Sequence, residues 1–148
     1  MPLTLATMAF LSLATCGKAP LPDVLKISDA VHSSAEIFNL PELLLVAQAE
    51  SESGCKINAV SNVKKDFGVL QVRLKTAQSI APTIKKKDLF DPYLNVLVAS
   101  HYLSDNIKKC GSVSKGLGAY SSGHCQVNSY SRKVMGKYLK LKKVYLNG

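Results

Sequence analysis

Five consecutive apolar residues, Leu43-Leu44-Leu45-Val46-Ala47, are followed within one helical stretch by Glu50, Glu52 and Ser53-Gly54. A helix that is apolar on every side must be surrounded by other elements, so this segment predicts a central, buried helix. Its start is marked by Asn39-Leu40-Pro41-Glu42, because proline suits the first helical turn and an acid suits the positive end of the helix dipole. Gly54 supplies a favourable stop. Residues two apart on a helix differ by about 200° of rotation, so Glu50 and Glu52 cannot share one cleft. Burying a carboxylate is costly unless it is paired or used, so one of the two belongs at a site and the other at the surface or in an ion pair. A carboxyl in apolar surroundings keeps its proton to higher pH, which suits protonation of a leaving oxygen. On the residues alone, Glu52 is favoured only by its nearness to the glycine break. The plainer alternative is a helix-end glutamate that merely pairs with Lys56 or Lys64.

The flanking pattern is also helical. Val24, Ile27, Val31, Ala35 and Phe38 recur at three- and four-residue spacing and predict a helix with one buried face. Phe67 to Val72 reads as a turn with a short extended piece or small hairpin, and Thr76 to Ile80 as a short helix before Pro82. Asp91-Pro92 opens a longer helix expected to bury Leu94, Leu97, Val98, Tyr102 and Ile107 on one side. Val113 to Tyr120 and a basic stretch from Val127 to about Tyr145 predict two more. The expected class is mostly α, a single helical domain around a central buried helix, with a small hairpin or extended segment beside the cleft. A length of 148 residues suits one domain, and 47% apolar content excludes a disordered chain.

Residues 1–14 are apolar or small and too short to span a bilayer, which takes about 20 apolar residues. They read as a signal peptide cleaved after Ala14, leaving a domain over residues 15–148 for the periplasm or cell envelope. A second reading takes Leu13-Ala14-Thr15-Cys16 as a lipoprotein site, with the chain anchored at Cys16. Cys16, Cys55, Cys110 and Cys125 lack the close pairs of a zinc site, and no metal or cofactor is expected. An even number suits disulfides in an oxidising compartment, and small buried thiols are the alternative. Three pairings are open, although Cys110 and Cys125 would close a small loop. The formal charge is +9, with six cations between Arg132 and Lys143. Such a surface attracts acidic polymers of any kind, or is simply solvated. No nucleic-acid reader motif accompanies it, so nucleic acid is not an expected partner.

Four segments carry a more specific signal: Glu52-Ser-Gly-Cys-Lys-Ile-Asn-Ala-Val-Ser61, Asp66-Phe-Gly-Val-Leu-Gln71, Asp91-Pro-Tyr-Leu-Asn95 and Gly118-Ala-Tyr-Ser-Ser-Gly123. In this order and spacing they resemble the soluble lytic transglycosylases, whose motifs read roughly E-S-G-x-x-P-x-A-x-S, G-L-M-Q, D-P-x-x-N and A-Y-N-A-G. Any one is weak; the ordered set is strong. An Asp shortly before the glycine of the second motif, the small size and the A-Y-x-S-G form are similar to the specialised enzymes of secretion, conjugation and pilus systems. The chain departs from the pattern at Ile57 for proline, Val69-Leu70 for Leu-Met, and Ser121 for asparagine. None of these changes removes a proton donor, while Ser121 alters a polar contact to substrate.

The resemblance implies a lysozyme-like fold and cleavage of the β-1,4 bond between N-acetylmuramic acid and N-acetylglucosamine to 1,6-anhydro products. It selects Glu52 over Glu50 as the catalytic acid and base. It also implies substrate contacts from Ser61, Gln71, Tyr120, Ser121 and Tyr130, with Tyr120 orienting the carboxyl. Asn95 and Leu94 are expected to be structural. The implied partners are peptidoglycan strands and components of a secretion, conjugation or pilus machine, met by a monomer. Two rivals stand beside it: a hydrolytic lysozyme using Glu52 with Asp66, and a non-catalytic basic wall-binding protein. His32, His101 and His124 are scattered and carry no assigned role.

Overall fold

The computed structural model describes residues 4–146, so residues 1–3 of the expected leader and 147–148 of the expected domain lie outside it. Seven helices are described: α1 (Leu5–Ala14), α2 (Leu21–Phe38), α3 (Glu42–Ser53), α4 (Leu74–Ile80), α5 (Pro92–Cys110), α6 (Val113–Ser122) and α7 (Ser129–Tyr145). Between α3 and α4, β1 (Asp66–Phe67) pairs antiparallel with β2 (Val72–Arg73), Phe67 opposite Val72. A 3-10 turn, Lys86–Phe90, leads into α5.

The apolar run behaves as its composition requires. Every residue from Glu42 to Ala49 is buried, and α3 packs against α1, α2 and α7. Fully burying a leucine stabilises by about 1.5–3 kcal/mol, and Leu43, Leu44 and Leu45 are all at or below 2% exposure. Gly54 ends α3 in the left-handed conformation, φ 60°. On the other side of the core, α5 packs against α2 and α6, and α6 against α7. No described helix is long and apolar enough to cross a membrane.

The α5 face differs from expectation. Leu94 and Ile107 are partly buried against the core, Tyr102 is half-buried and Val98 is buried, but Leu97 points outward at 38% exposure. The inward arc is instead built on Asn95, Val96, Ala99, Ser100, Leu103 and Ser104. Small and hydrogen-bonding residues let neighbouring helices approach closely, and hydrophobicity alone therefore picks a rotated face.

Two disulfides staple the chain, Cys16–Cys55 and Cys110–Cys125. With sequence separations of 39 and 15, loop-closure entropy makes them worth about 4 and about 3 kcal/mol. The segment expected to be a leader forms α1, with Ala9 and Leu13 buried against the core.

Asn95 ties the hairpin to α5. Its Nδ2 donates to the carbonyls of Phe67 and Leu89, both at 2.8 Å, and its Oδ1 accepts from the Leu70 amide at 2.8 Å. Gly68 sits in this joint with φ 78°, and a Cβ there would collide with the Leu89 carbonyl and the Asn95 amide. Gly68→Ala is expected to destabilise by more than about 2 kcal/mol, from the positive φ and the collision together. Chemical denaturation checks it, and a loss below about 0.5 kcal/mol would show that the joint yields freely.

Candidate active site

Glu52 occupies the last turn of α3, where the helix leaves the core and the chain turns at Gly54 and Cys55, both with positive φ. The Cys16–Cys55 bridge holds that turn. The following loop returns through an isolated bridge, Val60 to Phe67, into the hairpin. Two hollows meet at Glu52 and Gln71. One, about 480 Å³, is lined by Ser51, Asp66, Tyr102, Tyr120 and Ser121 among others. The other, about 570 Å³, runs along Lys56, Asn58, Ser61 and Asn62. Glu52 thus stands between two halves of a groove, each within the usual range of ligand sites, about 300–1,000 Å³.

The two glutamates separate as helical geometry demands. Glu50 accepts a hydrogen bond from Ser12 Oγ at 2.7 Å and pairs with Lys137 at 3.6 Å. Glu52 makes no ion pair among the described residues, so the alternative of a simple pair with Lys56 or Lys64 is not what the structure contains. Burial pushes the Glu52 carboxyl up to about 7. A hydrogen bond from Tyr130 opposes this, nearby Asp66 adds to it, and Lys133 opposes it. A carboxyl half protonated near neutral pH can both give and take a proton there.

The two tyrosines make different contacts. Tyr130 on α7 is a near neighbour of the Glu52 carboxyl. Tyr120 on α6 instead donates to the Leu70 carbonyl at 2.8 Å and stacks on Tyr130, ring centres 6.2 Å apart and planes at 10°. Burial holds both phenols well above their ordinary range, so both stay protonated.

Gln71 sits at the hairpin tip with φ 49°, its Nε2 donating to the carbonyls of Ala59 and Gly68. Ser61 Oγ accepts from the amides of Lys65 and Asp66 and so shapes the loop beside the second hollow. Ser121 lines the first hollow, with Oγ donating to the Gly118 carbonyl and accepting from Asn128. Asp66 also lines it, bonded to Arg73 Nε at 3.2 Å. The groove thus brings Glu52, Gln71, Tyr120 and Ser121 together, with Tyr130 behind the carboxyl and Ser61 on the far side. Sequence reasoning missed Tyr102, Arg73 and Gln48. Only Gln48 left a signal, as an amide one turn before Glu52 in an otherwise apolar run.

The pattern for the transglycosylase SLT domain matches residues 29–141, from within α2 to within α7. The chain belongs to this family. Its mostly helical fold with a two-stranded hairpin is the lysozyme-like fold of the SLT domain. Similar proteins include Protein IpgF of Shigella flexneri, 26% identical over 77% of this chain and 82% of that protein. Protein IpgF of Shigella sonnei is 25% identical over the same shares. A peptidoglycan-binding-like protein of Escherichia coli O157:H7 is 26% identical, over 77% of this chain and 78% of its own length. α1 lies ahead of the part matched by the SLT domain.

Proposed function

We propose that this SLT-domain protein is a lytic transglycosylase that cleaves the β-1,4 bond between N-acetylmuramic acid and N-acetylglucosamine, with Glu52 as its single acid and base. The observation that carries this is a buried carboxyl at the junction of two hollows, raised to about 7 and without an ion-pair partner among the described residues. Protonated Glu52 gives its proton to the glycosidic oxygen as the bond to the muramoyl C1 breaks. The resulting carboxylate takes the proton of the C6 hydroxyl, whose oxygen closes on C1 to form the 1,6-anhydro ring. Gln71, with its amide nitrogen spent on the chain, offers Oε1 to a sugar donor, and Ser121 and Tyr120 flank the same hollow.

A hydrolytic lysozyme needs a second carboxylate to stabilise the oxocarbenium-like state or activate water. Asp66 is the candidate, and its bond to Arg73 argues against that use. Digestion of purified peptidoglycan followed by mass measurement decides: anhydro-ended muropeptides are one water lighter than hydrolytic products. Asp66→Asn is expected to keep releasing anhydro products; reducing ends from the wild type, or their loss with Asp66→Asn, would favour the lysozyme. Wall binding without turnover would favour the adaptor.

The site of action we propose is the cell envelope, reached through a leader removed after Ala14, where two disulfides are at home. Cys16 is read as structural, since the bridge to Cys55 uses the sulfur that a lipid anchor would need. The +9 charge suits a wall rich in carboxylates. The motif resemblance supports local opening of the wall for a secretion, conjugation or pilus apparatus.

A further inference from the structure

Gln48 precedes Glu52 by one helical turn on α3, so the two side chains leave the helix on the same side. It is fully buried, and after Glu42 the helix holds only leucine, valine and alanine up to that point. An amide in such a place costs free energy unless its hydrogen bonds do something for the structure. Its Nε2 donates to the Tyr130 hydroxyl oxygen at 3.2 Å, while its Oε1 has no partner among the described residues. Among the described residues Tyr130 is thus its one side-chain hydrogen-bond partner, and Tyr130 also lies beside Glu52. A phenol has a single proton to donate. With its oxygen already accepting from Gln48, that proton is left for Glu52.

We infer that Gln48 is a positioning residue, which turns the Tyr130 proton toward the Glu52 carboxyl and so sets how readily Glu52 gives up and recovers its own. The geometry is specific to this arrangement: α3 supplies both Gln48 and Glu52, α7 supplies Tyr130, and stacking on Tyr120 limits how far the Tyr130 ring can move. The other groups acting on Glu52 are Asp66 from β1, Lys133 from α7 and Tyr120 from α6. Arg73 from β2 holds Asp66, and Glu50 pairs with Lys137. Losing the oriented Tyr130 proton removes a bond that favours the charged carboxylate, so Glu52 keeps its proton to higher pH. The reverse amide orientation, with Oε1 accepting from Tyr130, turns that proton away from Glu52 and gives the opposite sign.

Gln48→Met tests this, because it keeps length and volume, and deletes the donor together with an unpartnered buried oxygen, so stability is not expected to suffer. Carbon NMR of glutamate-labelled protein reads the Glu52 midpoint in wild type, Gln48→Met, Tyr130→Phe and the double variant, with Gln48→Leu as a second way to remove the donor. Gln48→Met and Tyr130→Phe are each expected to raise it by about 0.5–1 pH unit. The double variant is expected to go no further than Tyr130→Phe alone, the mark of one shared pathway. A midpoint that stays or falls with Gln48→Met, or full additivity in the double variant, overturns the inference. The consequence for catalysis rests on the proposed role of Glu52, and there the alkaline limb of kcat/KM moves up by the same amount. The NMR midpoint is read whether or not glycan is cleaved, so absent turnover in the wild type would sink the functional reading and leave this one standing.

Discussion

Glu52→Gln is expected to stop the release of muropeptides while melting several degrees above the wild type at pH 8. Each of the two proton transfers assigned to Glu52 is worth roughly 10²–10⁴-fold, and an amide performs neither. The stability gain follows from linkage. The carboxyl sits at about 7 in the folded protein against 4.5 for the ordinary group. Below pH 4.5 it is protonated in both states and costs nothing. As pH rises from 4.5 to 7 the unfolded chain ionises first, so the folded state loses up to about 3 kcal/mol, a loss complete above pH 7. Glutamine keeps the shape and stays neutral at every pH, so the variant escapes that loss. Melting scans at pH 4 and pH 8 check the sign: near-equal midpoints at pH 4, with the variant ahead at pH 8. A variant that trails the wild type at pH 8 would show that the Glu52 carboxyl is not held in a desolvated place.

The second large effect concerns a residue that touches no substrate. Asn95→Leu is expected to destabilise by about 4 kcal/mol, because it strands the Leu70 amide and the Phe67 and Leu89 carbonyls in the interior. Each unsatisfied buried group costs about 1–3 kcal/mol. The leucine is also a poor fit beside Gly68, where the chain already approaches within contact of the Asn95 side chain. Urea unfolding measures it, and a loss under about 1 kcal/mol would mean that the hairpin finds other partners. The effect reaches the groove through Leu70, whose carbonyl receives the Tyr120 hydroxyl.

Much of this arrangement was written in short-range patterns. The unbroken apolar run required a buried α3, and the proline and glycine around it gave bounds that the helix observes at Glu42 and Ser53. The two-residue offset between Glu50 and Glu52 required them to part, and they do. Phe67 to Val72 reads as a turn with a short extended piece or small hairpin because turn chemistry is local, and a two-stranded hairpin forms there. Where the reading of α5 slipped, it was because Leu97 scores as core by type. Asn95, Ser100 and Ser104 are core by position, and the Asn95 bonds to the hairpin are ones that periodicity does not register.

The sequence by itself therefore determined the helical class, the buried α3, the placement of Glu52 at its open end and the motifs of the SLT domain. Only the tertiary structure decided that Cys16 joins Cys55, that Arg73 takes Asp66, and that Gln48 meets the Tyr130 hydroxyl. The physical reason is range. Helical period and capping bind residues within a turn or two of each other, whereas Gln48 and Tyr130 are 82 positions apart. They meet because of where α7 crosses the end of α3, a relation fixed by how the whole core packs and by no spacing along the chain.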